Sequence, residues 1–235
     1  MMPRLGDRVG RRTRPLTGDD VERLPGPCAS CVFWELGATC PAPRTAAIPG
    51  WPRSPTPTAP SVRKQAWVSA RVQEGHPPGC LVEVDGQVVA FALYARADAF
   101  TIHGATVPRP SADALLLATL WVRPTEREAG IGKLLIRSAL REAQRQGARA
   151  VEAYGDRRFL ERSCVLPSSW LLHEGFVVHR EHPRTPLLRL DLRRTARWTE
   201  SLEQAWEEVL GRLPHPAPAR QPARSALDLQ TTQTD

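Results

Sequence analysis

The sequence predicts an α/β (α+β) fold, and three observations predict it. From Leu115 to Tyr154 an apolar strand runs into the loop Arg127-Glu128-Ala129-Gly130-Ile131-Gly132, then an amphipathic helix, then a second apolar strand. Asp85-Gly86 lies between two apolar runs, which suits a type I′ hairpin. Read end to end, helical and strand periods follow one another in the order β-α-α-β-β-β-α-β-α-β-β. The 235 residues suit one domain with extensions, and an apolar share of 41% can build a core.

Val9 to Leu16 reads as the first strand. Thr17-Gly18-Asp19-Asp20 follows, a cap residue with an acid three positions on, so a helix starts there. It carries Val21 and Leu24 inward and stops by Pro25-Gly26-Pro27. Residues 28–60 form a Cys/Pro-rich insertion or flap, whose prolines from Pro41 to Pro60 exclude helix and central strand. Ser61 can cap a second helix that buries Val62, Trp67, Val68 and Val72 and ends near Gly75. Cys80 to Val84 and Gln87 to Ala95 are the hairpin strands. Ala114 to Val122 is nearly all apolar and therefore a central strand. Gly130 to Gln146 is a helix with Ile131, Leu134, Leu135, Ala139 and Leu140 facing in, closed by Gly147. Ala150 to Tyr154 is a strand, and Pro167 fits the first turn of a short helix that Gly175 ends. Phe176 to Arg180 and Leu187 to Leu192 are the last strands. Residues 193–213 have the spacing of a final amphipathic helix, covering the core or forming a dimer. Residues 1–8 are a basic tail and 214–235 a polar, disordered one.

Glycines between a strand and a helix let backbone N–H groups come close to a phosphate, and the helix N-terminus adds a positive dipole. Other phosphate loops fit poorly. A dinucleotide fold wants G-x-G-x-x-G, and Gly132-Lys133-Leu134 lacks the spacing and hydroxyl of a P-loop. The alternative is an ordinary strand–turn–helix with glycines for packing. The order R-x-x-G-x-G directly after a strand resembles the acetyl-coenzyme A loop of the GNAT N-acetyltransferases. Leu172-His173-Glu174-Gly175-Phe176 also resembles the helix-to-strand ending of many members, and the shared element order spans about Val9 to Leu192.

That resemblance implies a central mixed, mostly antiparallel sheet flanked by helices, with residues 9–192 as the acetyltransferase domain. It implies that backbone N–H groups of Leu120 and Val122 bind the acetyl carbonyl and pantetheine arm. The pyrophosphate would be held by Arg127, Ala129, Gly130, Ile131 and Gly132, with Lys133 just beyond. Arg127 can add charge or be a solvated helix-start residue. Acetyl-CoA is the implied co-substrate, and direct attack by an amine needs no metal. It does need proton transfer. Many members carry a glutamate on the strand before the loop, where this chain has Leu115-Leu116-Leu117-Ala118-Thr119. Many carry a tyrosine four residues before the short helix's glycine, where this chain has Leu171. The replacement candidates are Glu35, Tyr154 and Cys164. Glu35 lies in a segment that lines the acceptor side in the family, and is otherwise a surface carboxylate. Tyr154 can donate a proton or pack. Cys164 precedes the short helix, as a reactive thiol or a buried inert one.

Cys28-Ala29-Ser30-Cys31 with Cys40 has the look of a thiol or zinc cluster, but a closed zinc site wants four ligands and no second pair accompanies it. The formal charge is +7, and Lys64 and Lys133 are the only lysines. Basic ends can hold nucleic acid, yet no aromatic-interleaved basic face accompanies them, so nucleic acid is not the expected partner. No apolar run reaches the length of a membrane span, mean hydropathy is −0.35, and Met1 to Arg14 has no apolar signal region. A cytoplasmic location is expected. The expected activity is transfer of an acetyl or short acyl group from acetyl-CoA to an amine of a small molecule or protein. The alternatives are a non-catalytic acyl-CoA-binding regulatory module, a nucleic-acid-associated protein, and a thiol or metal module at Cys28, Cys31 and Cys40.

Overall fold

The computed structural model describes residues 12–37, 59–102, 107–127, 130–158 and 164–193. The basic tail, most of the proline-rich flap with Cys40, the final helix and the polar tail lie outside the described residues. The chain divides into one unit over residues 1–196 and a second over residues 197–235.

Among the described residues, eight strands form the sheet: β1 (Arg12–Pro15), β2 (Gly79–Val84), β3 (Gln87–Arg96), β4 (Ala114–Val122), β5 (Ala150–Asp156), β6 (Leu166–Pro167), β7 (Val177–Arg180) and β8 (Leu187–Asp191). Their order is β1-β2-β3-β4-β5-β8-β7, with β6 also on β5. Pairing is antiparallel except for β4 with β5 and β5 with β6. The helices are α1 (Phe33–Leu36), α2 (Ala59–Gln73), α3 (Ile131–Arg145) and α4 (Ser168–His173). A mixed, mostly antiparallel sheet flanked by helices is thus the architecture.

Each face of the sheet carries its own core. Leu115 and Leu117 of β4, with Val151 and Ala153 of β5, pack on Ile131, Leu135 and Ala139 of α3 and Leu171 of α4. Leu116, Ala118 and Tyr154 face the other way, onto Val21, Trp34 and Val68. Both faces of β4 are therefore covered, which is why it reads as a nearly all-apolar run. The hairpin turns at Asp85-Gly86, both with positive φ, as a type I′ turn requires.

Three expectations are corrected. Ser61 does not cap α2, which already starts at Ala59 and turns Ser61 inward. The helix after Thr17 is a 3-10 helix over Gly18–Arg23, not an α-helix. Its bonds span three residues, as in Leu24 N–H to the Val21 carbonyl, and Pro25 stops it before a second turn of α can form. Val62 is not part of the buried stripe of α2, being 48% exposed. The inward positions are Ser61, Lys64 and Val68, with Trp67 and Val72 partly covered. A lysine at a core position conceals the stripe from a reading of apolar spacing.

Candidate active site

The site begins where two parallel strands part. β4 and β5 share only three rungs: Ala114 with Ala150, Leu115 with Val151, and Leu116 with Glu152. Beyond them β4 keeps its pairing with β3 as far as Val122, while the same side of β5 is taken by β6 at Gly155 and Asp156. The Arg123 N–H donates to the Val89 carbonyl on β3 at 2.8 Å. Backbone groups alternate along a strand, so the N–H groups of Val122 and Leu120 point away from β3 into the gap. The sheet thus offers two parallel-aligned donors along an edge of β4 that β5 has left.

The loop after β4 leads to the start of α3. Gly130 has φ 73° at the helix N-cap, and its carbonyl accepts the first helical bond, from Leu134. A side chain at Gly130 would meet nothing within 4 Å, so its left-handed backbone, not crowding, is what favours glycine there. The N–H groups of Ile131, Gly132 and Lys133 lie in the first turn, where no intrahelical acceptor exists. Together with the dipole of this 15-residue helix they suit an anion. Arg127 and Lys133 are exposed beside them, and Ala129 lies outside the described residues. Gly132 has a different reason: a Cβ there would come 2.9 Å from the Trp170 ring of α4, so α4 closes onto the first turn of α3.

At the vertex sits Glu152, fully buried on the last shared rung. It accepts bonds from the Arg189 guanidinium at 3.0 Å and the Ser111 N–H at 2.8 Å, and His179 lies 3.7 Å away. Arg189 also grips Asp113, whose carboxyl it holds below the usual range. Reading by residue type missed this clamp, although an acid inside Val151-Glu152-Ala153 was the signal for it.

The opposite wall is aromatic. Trp34 stacks on Tyr154 at 5.8 Å, with Phe33 and Phe100 edge-on to Trp34. The Tyr154 hydroxyl donates to the Pro108 carbonyl at 2.5 Å. Burial, then the Glu152 charge, pushes the phenol up to about 12. Glu35 is buried and ion-paired with Lys64 Nζ at 2.6 Å, and the same ammonium donates to the Cys31 carbonyl at 2.9 Å. The approach to Glu35 Oε1 lacks the alignment of a hydrogen bond, so the contact is an ion pair. Asp156 ends β5 as a buried carboxylate that accepts the Arg158 N–H at 2.9 Å. Leu171, at the tyrosine position of the family pattern, is fully buried in the core beneath α4.

One cysteine contact joins distant parts of the chain. Cys31 Sγ lies 3.6 Å from Cys164 Sγ, 133 positions away. Cys28 is half-buried and Cys40 is outside the described residues. Among the described residues, no group of three or more His, Cys, Asp or Glu side chains could hold a metal ion, and no helix is long and apolar enough to cross a membrane.

A parted parallel strand pair beside a glycine-started helix N-terminus makes an α/β site suited to an extended ligand that ends in an anion. The chain belongs to the acetyltransferase (GNAT) family, whose sequence profile matches residues 42–164, just over half of its length. Solved structures with a similar fold include the PaiA N-acetyltransferase of Thermoplasma acidophilum in complex with coenzyme A. It is 18% identical, with 77% of this chain and 99% of that one covered and a TM-score of 0.49. The yncA protein of Salmonella typhimurium, solved with acetyl-CoA, is 17% identical over 77% and 94% of the chains, TM-score 0.47. The ribosomal-protein-alanine N-acetyltransferase of Brucella melitensis is 21% identical over 77% and 99%, TM-score 0.46. No curated protein matches the sequence.

Proposed function

We propose that this protein transfers an acetyl or similarly short acyl group from acetyl-CoA to an amine by direct attack, in the cytoplasm. The observation that carries the reading is the pair of Leu120 and Val122 N–H groups aimed into the gap beside the N-terminus of α3. An extended pantetheine arm can add to that free edge as a short strand does. Its pyrophosphate then reaches the first turn of α3, with Arg127 and Lys133 adding positive charge. One strand N–H facing the thioester oxygen stabilises the oxyanion formed when the amine attacks. The amine enters from the Trp34–Tyr154 side. Tyr154 is a poor acid while its phenol is held near 12 and bonded to Pro108. Glu35 is held by Lys64 and serves the lobe rather than the proton.

Calorimetric titration with acetyl-CoA tests this, on the intact chain and on Gly130→Asp. Aspartate tolerates the left-handed backbone better than most residues and places a negative charge where the phosphates go. Binding by the intact chain and its loss in a folded variant is the expected result. No binding by the folded intact chain sinks the proposal. A second reading is favoured by the apolar run Leu115 to Ala118 and by Leu171, which leave the usual acid and tyrosine positions without chemistry. In that reading the chain binds acyl-CoA as a regulatory module. Release of free CoA in the presence of a panel of primary amines separates the two.

A further inference from the structure

We propose that Cys31 and Cys164 are an oxidative modification site: a thiol pair that closes to a reversible disulfide across the acceptor side of the site. The two sulfurs stand 3.6 Å apart and need approach only to about 2 Å to bond. Both backbones are already fixed. The Cys31 carbonyl accepts from the buried Lys64 ammonium at 2.9 Å, and the Cys164 carbonyl accepts from the Trp34 indole at 3.1 Å. Thiols held in this way meet at high effective concentration, so the internal bond outcompetes a bond to a second molecule. Access is asymmetric: Cys31 is 7% exposed, whereas Cys164 is only half-buried and can be reached first.

The oxidant is a low-molecular-weight disulfide, RSSR. The Cys164 thiolate attacks one sulfur of RSSR, the S–S bond breaks, and RSH leaves with the proton that Cys164 gave up. Cys31 thiolate then attacks Cys164 Sγ, and the second RSH leaves with the Cys31 proton. Two protein thiols are oxidised and one small disulfide is reduced to two thiols. The bond ties the segment carrying Trp34 to the segment that follows β5. Trp34 stacks on Tyr154 between them, so oxidation fixes the aromatic wall through which an acceptor would pass.

The test uses the full chain incubated with oxidised glutathione, followed by alkylation and intact-mass and peptide-mass analysis. The expected result is loss of two thiols per chain, joining of the peptides that hold Cys31 and Cys164, a change in tryptophan fluorescence, and reversal by dithiothreitol. Cys31→Ser should instead retain one glutathione on Cys164, and Cys31→Ala repeats this with a second side chain. A bond between Cys28 and Cys31, a bond to Cys40 or Cys80, or glutathione stable on Cys164 of the unaltered chain overturns the proposal. So does stoichiometric zinc in protein purified without chelator and lost in Cys164→Ser. None of these readouts needs acetyl transfer, so failure here is distinguishable from failure of the enzymatic reading.

Discussion

Lys64 is one of two lysines in the chain, and its side chain is 4% exposed. Its ammonium and the Glu35 carboxylate, 1% exposed, hold each other in the interior between α1 and α2. Removing one charge strands the other. Lys64→Met leaves a buried carboxylate without its cation and is expected to cost about 3–5 kcal/mol. Glu35→Leu leaves the ammonium with only the Cys31 carbonyl and is expected to cost a similar amount. The double variant removes both charges and loses chiefly the bond to Cys31, worth about 1 kcal/mol. It is therefore expected to be more stable than either single variant. Glu35→Gln is the milder probe, keeping an acceptor but losing charge, at about 1–3 kcal/mol. Urea unfolding followed by circular dichroism measures all four. A double variant as unstable as the summed singles, or singles within about 0.5 kcal/mol of the parent, would refute the buried-pair argument. The same set decides the part of Glu35 in turnover. If it is only a lobe clamp, the activity of Glu35→Gln per folded molecule stays near the parent value. A large loss of kcat with unchanged stability would instead make it the base.

Three further predictions follow from single contacts. Gly155→Ala puts a Cβ 2.5 Å from Ser168 Oγ and 2.6 Å from Leu188 Cδ1, and overpacking of this kind costs about 1–3 kcal/mol, read as a lower unfolding midpoint. Tyr154→Phe loses the bond to the Pro108 carbonyl and should cost about 1 kcal/mol, with kcat/KM little changed if the phenol is no proton donor. Burial acts to raise the Asp20 carboxyl, but bonds from Arg14 and Thr17 outweigh it and hold the pKa at about 2, against 3.8 for the free group. A depressed folded pKa means stability fully present above 3.8 and lost as pH falls toward 2. Asp20→Asn should lower stability at neutral pH and flatten that acid limb in a pH series of unfolding curves.

Most of the frame is legible because local rules and the fold agree. Asp85-Gly86 fixes the hairpin, and the apolar run Ala114 to Val122 announces a strand buried on both faces. The Gly130 loop can be read because a left-handed cap and a helix start leave a residue signature. The acceptor side is less legible, since its order comes from contacts between distant residues. Glu35 reads as a surface carboxylate until the structure shows it buried against Lys64. Cys28-Ala29-Ser30-Cys31 suggests a local cluster, and nothing in that spacing tells that folding also brings Cys31 to Cys164. Spacing along a chain encodes neighbours on one element, and these partners lie on different ones.

The short strand β6 explains how one side of the gap is closed while the other stays open. β5 would present the same bare edge as β4 once they part, but Leu166 and Pro167 pair with Gly155 and Asp156 and cover it. The cover fits because Gly155 has no side chain between Ser168 and Leu188. The β4 edge keeps the Leu120 and Val122 N–H groups facing the gap, so an extended ligand has a strand to pair with and a direction to lie in. That direction ends at the first turn of α3, where Gly132 lets Trp170 close over the helix start. The segment that supplies β6 also supplies Cys164, which ties the strand that shapes the proposed cofactor groove to the aromatic wall on the proposed acceptor side. A bond made at Cys164 would therefore act on both halves of the site through one short stretch of chain.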